Sequence, residues 1–328
     1  MRLPVLLSFL TLATGHFAAS AAEDTQVLVA NSGDSTVSIF TATNVHGIPI
    51  LRPLKVLPAG KGPSEICLSP DRKRAYISNG GESSITVLDL NTLAVLNTFV
   101  DNSMKRPDGC VVSPDGSKLY TAVAGADTVS VFSTVDGMKV AEIKVGKEPR
   151  RLLFSREGDR LYVSNGGEDY VSIVDPSKNI AVGKVPAGRD PRAMILTPDG
   201  KYLVISNVSS DTVELVKAGT NEVEVHLGVP RSPQRFAVDA QKGLLFTICR
   251  FDNVVSLHDI RPYQEYGRVL QTVPVGRGPW GMGINPDGSA LYVSNTTDNT
   301  ITLIDLRLMH PSSFSIPTGK APLGLVVR

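Results

Sequence analysis

Ala75-Tyr76-Ile77-Ser78-Asn79-Gly80-Gly81 reads as a short strand that runs into a polar loop. The same unit recurs along the chain. Aligning on its asparagine picks out Asn31, Asn79, Val123, Asn165, Asn207, Cys249 and Asn295, at steps of 48, 44, 42, 42, 42 and 46 residues. A second landmark is a proline usually preceded three residues earlier by glycine: Pro63, Pro107, Pro149, Pro191, Pro233, Pro279 and Pro322, at steps of 44, 42, 42, 42, 46 and 43. A third is a Pro-Asp-Gly turn, plain at residues 114–116, 198–200 and 286–288 and degenerate at residues 70–72 and 156–158. Proline fixes φ and glycine accepts positive φ, so this tripeptide pre-sets a tight connection.

In the cleanest copy four short strands are expected, over residues 151–155, 160–164, 170–174 and 180–185. Alternation and β-branched content in Tyr170-Val171-Ser172-Ile173-Val174 favour strand over helix. Four strands per unit of about 42 residues is the period of a propeller blade. The sequence therefore predicts an all-β, seven-bladed β-propeller with four-stranded blades, as one domain over residues 23–328. The phase of the termini adds a closure. The chain starts with a second strand at Gln26–Asn31 and finishes with a first strand at Pro322–Val327, so one blade pairs the C-terminal strand with N-terminal strands and leaves no open edge.

Tyr76-Ile77-Ser78-Asn79, Tyr162-Val163-Ser164-Asn165 and Tyr292-Val293-Ser294-Asn295, with Gly-x-x-Pro before the blades and Ser-Pro-Asp-Gly inside them, resemble the YVTN family of β-propeller repeats. That family is similar to archaeal surface-layer repeats and to the propellers of nitrous oxide reductase and the methylamine dehydrogenase heavy chain. The resemblance implies fold rather than function. It also implies that the loops at Val123 and Cys249, which lack the asparagine, depart from the family's shape.

The composition is globular: 328 residues, 42% hydrophobic, 20% charged, with 33 Lys plus Arg against 32 Asp plus Glu. Near-neutrality argues against general nucleic-acid binding. Residues 1–22, with Arg2, an apolar run from Leu3 to Ala13 and the small residues Ala18–Ala22, read as a cleaved secretory signal rather than a membrane anchor, because Thr11, Thr14, Gly15 and His16 interrupt the apolar run. A secreted or periplasmic protein is expected, with no transmembrane segment once the signal is removed. The three cysteines, Cys67, Cys110 and Cys249, read as free buried thiols, with one bridge between Cys67 and Cys110 as the alternative.

Local enzyme motifs are absent. Gly276-Arg277-Gly278-Pro279-Trp280-Gly281 matches a dinucleotide fingerprint in form, but it lies at a blade junction with no helix to follow. No P-loop, zinc-protease helix, EF-hand loop or nucleophile elbow occurs. His46, His226, His258 and His310 are scattered over outer strands and loops, so no metal or cofactor is expected. The acids ten residues past the asparagine landmark, Asp89, Asp175, Asp259 and Asp305, read as turn formers. The sequons at Asn207 and Asn295 carry no weight, since each asparagine is the repeat landmark itself.

The junction residues ring the channel mouth, where ligands favour concave convergence. Here the repeat breaks: Glu65, Asp108, Arg150, Arg192, Arg235 and Trp280 follow the junction prolines of successive blades, with Arg250 in a neighbouring loop. Arg150, Arg192 and Arg235 form a cationic arc suited to carboxylate or phosphate, with Trp280 as a flat wall; the alternative is that Arg151 and Arg235 pair with neighbouring acids or solvate the rim. Glu65 and Asp108 face them and are the candidate acid and base. The leading expectation is a binding or scaffolding module for an anionic small molecule or a partner protein. The alternatives are a hydrolase, lyase or lactonase-like enzyme using Glu65 or Asp108, and a subunit of a periplasmic redox complex.

Overall fold

A computed structural model describes residues 25–260, 269–308 and 313–328. The expected signal and His310 lie outside them. Seven four-stranded antiparallel sheets stand in a ring. Blades 2 to 7 start at the junction prolines Pro63, Pro107, Pro149, Pro191, Pro233 and Pro279. Blade 1 is composite: Pro322–Val327 is its innermost strand and pairs with Thr25–Asn31, which is followed by Thr36–Val45 and Ile48–Pro58. The innermost strands touch one another in sequence around the whole ring, blade 7 meeting blade 1 and blade 1 meeting blade 2. Closure through the C-terminal strand is as the sequence predicts.

The second and third strands of the blades are apolar at both parities because both of their faces are buried. Within one strand Val27 and Val29 pack against blade 7 while Leu28 and Ala30 pack against blade 2. Seven apolar clusters result among the described residues, one in each gap between blades.

The repeat motif is explained by contacts between and within blades. Its serine bolts a blade to the next: Ser164 Oγ donates to the Arg192 carbonyl and Ser294 Oγ to the Leu323 carbonyl, each at 2.7 Å, and Ser78 Oγ donates to the Asp108 carbonyl. Its asparagine is fully buried and holds the following strand; Asn295 Nδ2 donates to Thr300 Oγ1 at 3.0 Å and Thr302 Oγ1 at 2.8 Å. A buried amide so engaged is not available for glycosylation, nor is Asn207, which is also fully buried. The recurrent acids form turns: Asp89 Oδ1 accepts from the Asn91 and Thr92 amides, and Asp175 Oδ1 from Ser177 and Lys178.

Several expectations need correction. Cys67 and Cys110 form a disulfide with a Cα separation of 5.8 Å, and Cys249 alone is free. Cys67 is four residues past its junction proline and Cys110 three, so one side chain faces the next blade and the other the previous one, and the two meet in the gap. The loops at Val123 and Cys249 keep the common backbone shape: Gly125 N–H donates to the Lys105 carbonyl and Phe251 N–H to the Arg231 carbonyl, as Gly81 N–H does to Lys61. His258 is not peripheral. It is fully buried, with Nε2 2.9 Å from Ser256 Oγ, and burial pushes its imidazole down to about 4.

Candidate functional site

Two backbone features aim side chains into the mouth. In all seven blades the pairing of first and second strands shifts register just after the junction proline. A bulge at that point re-aims the residues that follow. The residue before each proline, Gly62, Arg106, Glu148, Asp190, Ser232, Gly278 and Ala321, has φ between 48° and 67°. Left-handed backbone before proline is strained for residues other than glycine and persists where the surroundings hold it. The holding groups are loop acids and amides: Asp127 Oδ1 accepts from the Glu148 N–H at 2.9 Å and Asp211 Oδ1 from Ser232 at 2.7 Å. Gly109 is required at the mouth by close approach, since a Cβ there would stand 3.0 Å from the Arg151 Cα on the next blade.

The side chains so presented form one charged cluster across blades 2, 3, 4 and 6. Arg151, not singled out as a ligand residue by the sequence, is its centre. Arg151 Nη2 lies 2.9 Å from Glu65 Oε2 and its Nη1 2.7 Å from Asp108 Oδ1. Arg235 reaches across the channel to the same Glu65 oxygen. Arg150 Nη1 is 3.6 Å from Asp108 Oδ2, and its Nη2 is 2.6 Å from Glu148 Oε2. The Glu65 side chain is only 8% exposed. Burial alone would raise the Asp108 carboxyl, but the Arg151 guanidinium, by charge and hydrogen bond, and then Arg150 hold it below the usual carboxylate range.

A second group adjoins the first. Arg192 Nε is 3.2 Å from Asp190 Oδ1 and its Nη1 donates to Gln234 Oε1 at 3.1 Å. Trp280 lies beside both Arg192 and Arg250, with guanidinium carbons 5.6 Å and 4.7 Å from its ring centre. Arg250 has no carboxylate within ion-pair distance among the described residues; burial and then Arg192 lower its affinity for its proton, yet a guanidinium stays charged. Arg150, Arg151, Arg192, Arg235 and Arg250, with Arg106 3.6 Å from Glu148 at the rim, thus outnumber the acids Glu65, Asp108, Glu148 and Asp190. The surplus charge is on the Trp280 side.

The residues expected at the mouth therefore do converge there, but not as two separate arcs. Arg235 is consumed by Glu65 and Arg150 by Glu148 and Asp108, with the Arg150 Nε buried without a partner, so the arginines left for a ligand are Arg192 and Arg250. The cavity among Asp108, Arg150, Arg151, Arg192, Gln234 and Trp280 measures about 10 Å³, room for about one water. A larger depression of about 550 Å³ opens on the other face beside Gln26, Arg72, Asn91 and Arg328. There Arg328 is already spent on Gln26 Oε1, the Leu90 carbonyl and Asn91 Oδ1. It is bounded by blades 7, 1 and 2, with Pro286, Asp71 and Arg72 on its rim. No group of three or more metal-binding side chains occurs among the described residues, and no helix there is long and apolar enough to cross a membrane.

Comparison with known proteins bears on this site. The family model for the seven-bladed β-propeller lactonases matches residues 11–184, and that for YNCE-like β-propellers matches residues 152–306. No curated protein matches. Among solved structures, the periplasmic gluconolactonase of Pseudomonas aeruginosa is 17% identical with a TM-score of 0.80, over 92% of this chain and 98% of that one. A putative 6-phosphogluconolactonase of Bacteroides fragilis is 18% identical with a TM-score of 0.79, over 94% and 99%. Hydrazine synthase of Kuenenia stuttgartiensis is 21% identical with a TM-score of 0.70, over 87% and 93%. Identities this low carry the fold alone.

Proposed function

Because this chain belongs to the lactonase family of seven-bladed β-propellers, we propose that its channel mouth opens the ring of a lactone that carries a negative charge. The observation that carries the reading is the sharing of Arg151 between Glu65 and Asp108, two carboxylates at the point where the innermost strands converge. In this reading water adds to the lactone carbonyl, Asp108 or Glu65 accepts the water proton, and Arg151 stabilises the oxyanion. The ring C–O bond then breaks, the proton passes to the departing alkoxide, and a hydroxy acid results. Asp108 stays ionised but is a weak base, so stabilisation of developing charge supplies the larger share of the rate. Arg192 and Arg250 against Trp280 hold the substrate's anionic group.

A second reading, an anion-binding module without chemistry, is favoured by one specific feature. Both carboxylates are already neutralised by arginine and the cavity admits only a water, so a ligand must rest on the rim or swing Arg150 and Arg192 away from Glu148 and Asp190. Both readings are of an exported protein; the leader pattern of residues 1–22 and the Cys67–Cys110 disulfide support that.

The test is a pH-stat assay of γ- and δ-lactones with and without a carboxylate or phosphate. The lactonase reading expects ring opening above the spontaneous rate, falling about a hundredfold in Asp108→Asn. If no lactone is opened faster than in buffer, the lactonase reading fails, and a raised melting temperature with the same anions would leave the binding module.

A further inference from the structure

The disulfide sits one side-chain layer beneath the acid cluster. Glu65, Ile66 and Cys67 pair regularly with Ser78, Ile77 and Tyr76, so Glu65 and Cys67 leave the same face of their strand. That face is turned toward blade 3, since Cys67 and Cys110 pack with Tyr76 and Phe132 in the gap between blades 2 and 3, whereas Ile66 packs against blade 1. Cys110 follows Asp108 by two residues, with the bulge of blade 3 lying between Pro107 and Cys110. One covalent bond therefore joins the two strands two residues along from each carboxylate.

The gap is otherwise held by apolar packing, with Phe99 stacked on Phe132, and by single polar contacts such as Arg74 Nη1 to the Thr134 carbonyl at 3.2 Å. The innermost strands of blades 2 and 3 belong to different sheets and share no ladder. Their polar ties are Ser64 Oγ to the Pro107 carbonyl at 3.4 Å and Ser78 Oγ to the Asp108 carbonyl. Of the gaps in the ring, the one stapled by a disulfide among the described residues is the one whose two strands carry the carboxylates that share Arg151. A guanidinium fork meets two carboxylates only within tenths of an ångström, so a small widening of the gap releases one of them.

We infer that Cys67 and Cys110 are positioning residues of the mouth: their disulfide sets the distance between Glu65 and Asp108 at which Arg151 serves both, and a dithiol that reduces it loosens the site. In that reduction the S–S bond takes two electrons and two protons from the dithiol, giving two thiols and a cyclic disulfide of the reductant. The rate arm of the test rests on the lactone reading; the titration arm does not.

The experiment follows the carboxyl carbons of Asp108 and Asp115 by NMR against pH, in native protein before and after dithiothreitol and in Cys67→Ala/Cys110→Ala. Asp115 is the internal control, since Ser113 and Ser117 in its own turn hold it down at about 2, at the end of the gap away from the two carboxylates. The inference expects the Asp108 midpoint to rise by about one unit as Arg151 lets go, with Asp115 unmoved. If the wild type opens a lactone, kcat falls about tenfold in the reduced protein with KM little changed. An unmoved Asp108 midpoint in folded, reduced protein overturns the inference, even where melting drops, because the bond is then only a staple of the ring. Unfolding of both the reduced protein and the variant overturns it equally. Inactivity of the wild type on every lactone removes the proposed function and leaves the Asp108 comparison decisive.

Discussion

Gly146 lies directly under Asn165, so that a Cβ at position 146 would stand 2.5 Å from the Asn165 amide carbon. The same pair recurs at Gly188 and Asn207, Gly276 and Asn295, and Gly319 and Asn31. Where the asparagine is lost, the glycine is lost with it: Val123 goes with Met104 and Cys249 with Pro230. The two landmarks that reveal the repeat are thus the two halves of one contact.

It follows that Gly146→Ala overpacks the junction of blade 4 and costs about 1 to 3 kcal/mol. Adding Asn165→Val, which copies the Val123 solution, recovers part of that loss. A double-mutant cycle in urea measures the coupling, and strictly additive effects of the two changes would contradict the pairing.

Closure of the ring depends on Pro322–Val327, whose Leu325 is only 4% exposed in the gap between blades 7 and 1. Deleting residues 322–328 leaves Thr25–Asn31 with an unpaired edge. The truncated protein should aggregate on size exclusion and melt lower, while Leu325→Ala in the full chain costs about 2 to 5 kcal/mol. A monomeric truncation with unchanged melting would contradict the joint blade.

Acid should destabilise the fold earlier than its carboxylates require. Above pH 6.5 His258 is neutral in both folded and unfolded chains and contributes no pH dependence. Below it the unfolded chain takes up a proton that the folded one refuses until about pH 4, so stability falls as pH drops from about 6.5 to about 4, by about 3 kcal/mol in all. Asp108, held low in the fold, adds a second loss as pH falls further. Urea midpoints from pH 7 to 4 should slope in the wild type and flatten in His258→Leu; parallel curves would mean the imidazole titrates normally.

Fold and mouth were not equally legible in sequence. Residues at positions common to all blades announce themselves by recurrence, and the ring, its closure and the turn role of Asp89 and Asp175 follow from it. The disulfide is only the alternative reading in sequence because three cysteines over 328 residues look sparse, and the parity of Cys67 and Cys110 leaves open whether they meet or diverge. His258 was missed because its neighbours along the chain do not reveal that a third strand is covered on both faces. At the mouth recurrence is absent by nature. Sequence indicates which side chains converge and allows Arg151 and Arg235 to pair with acids, but only the bulges decide that Arg235 crosses to Glu65 and that Arg151 is shared between Glu65 and Asp108.

The arginines left open to a ligand give the next prediction. Charge-assisted hydrogen bonds from a guanidinium are worth roughly 1.5 to 3 kcal/mol. Arg192→Ala should therefore weaken binding of an anionic ligand about ten- to a hundredfold. Arg72→Ala, in a turn on the other face, should leave it unchanged. Isothermal titration with phosphate and with small carboxylates makes the comparison, and equal loss in both variants would reduce the cationic wall to surface charge.

The central claim is that chemistry and binding belong to the mouth built on Glu65, Asp108 and Arg151. A crystal of the protein soaked with the hydroxy acid produced from its best lactone, or with the tightest anion if none is opened, tests it most directly. Density for the carboxylate or phosphate is expected against Arg192, Arg250 and Trp280, with the remainder of the molecule pointing toward Asp108. Density in the wider depression beside Gln26 and Arg328, with the mouth unchanged, would contradict it.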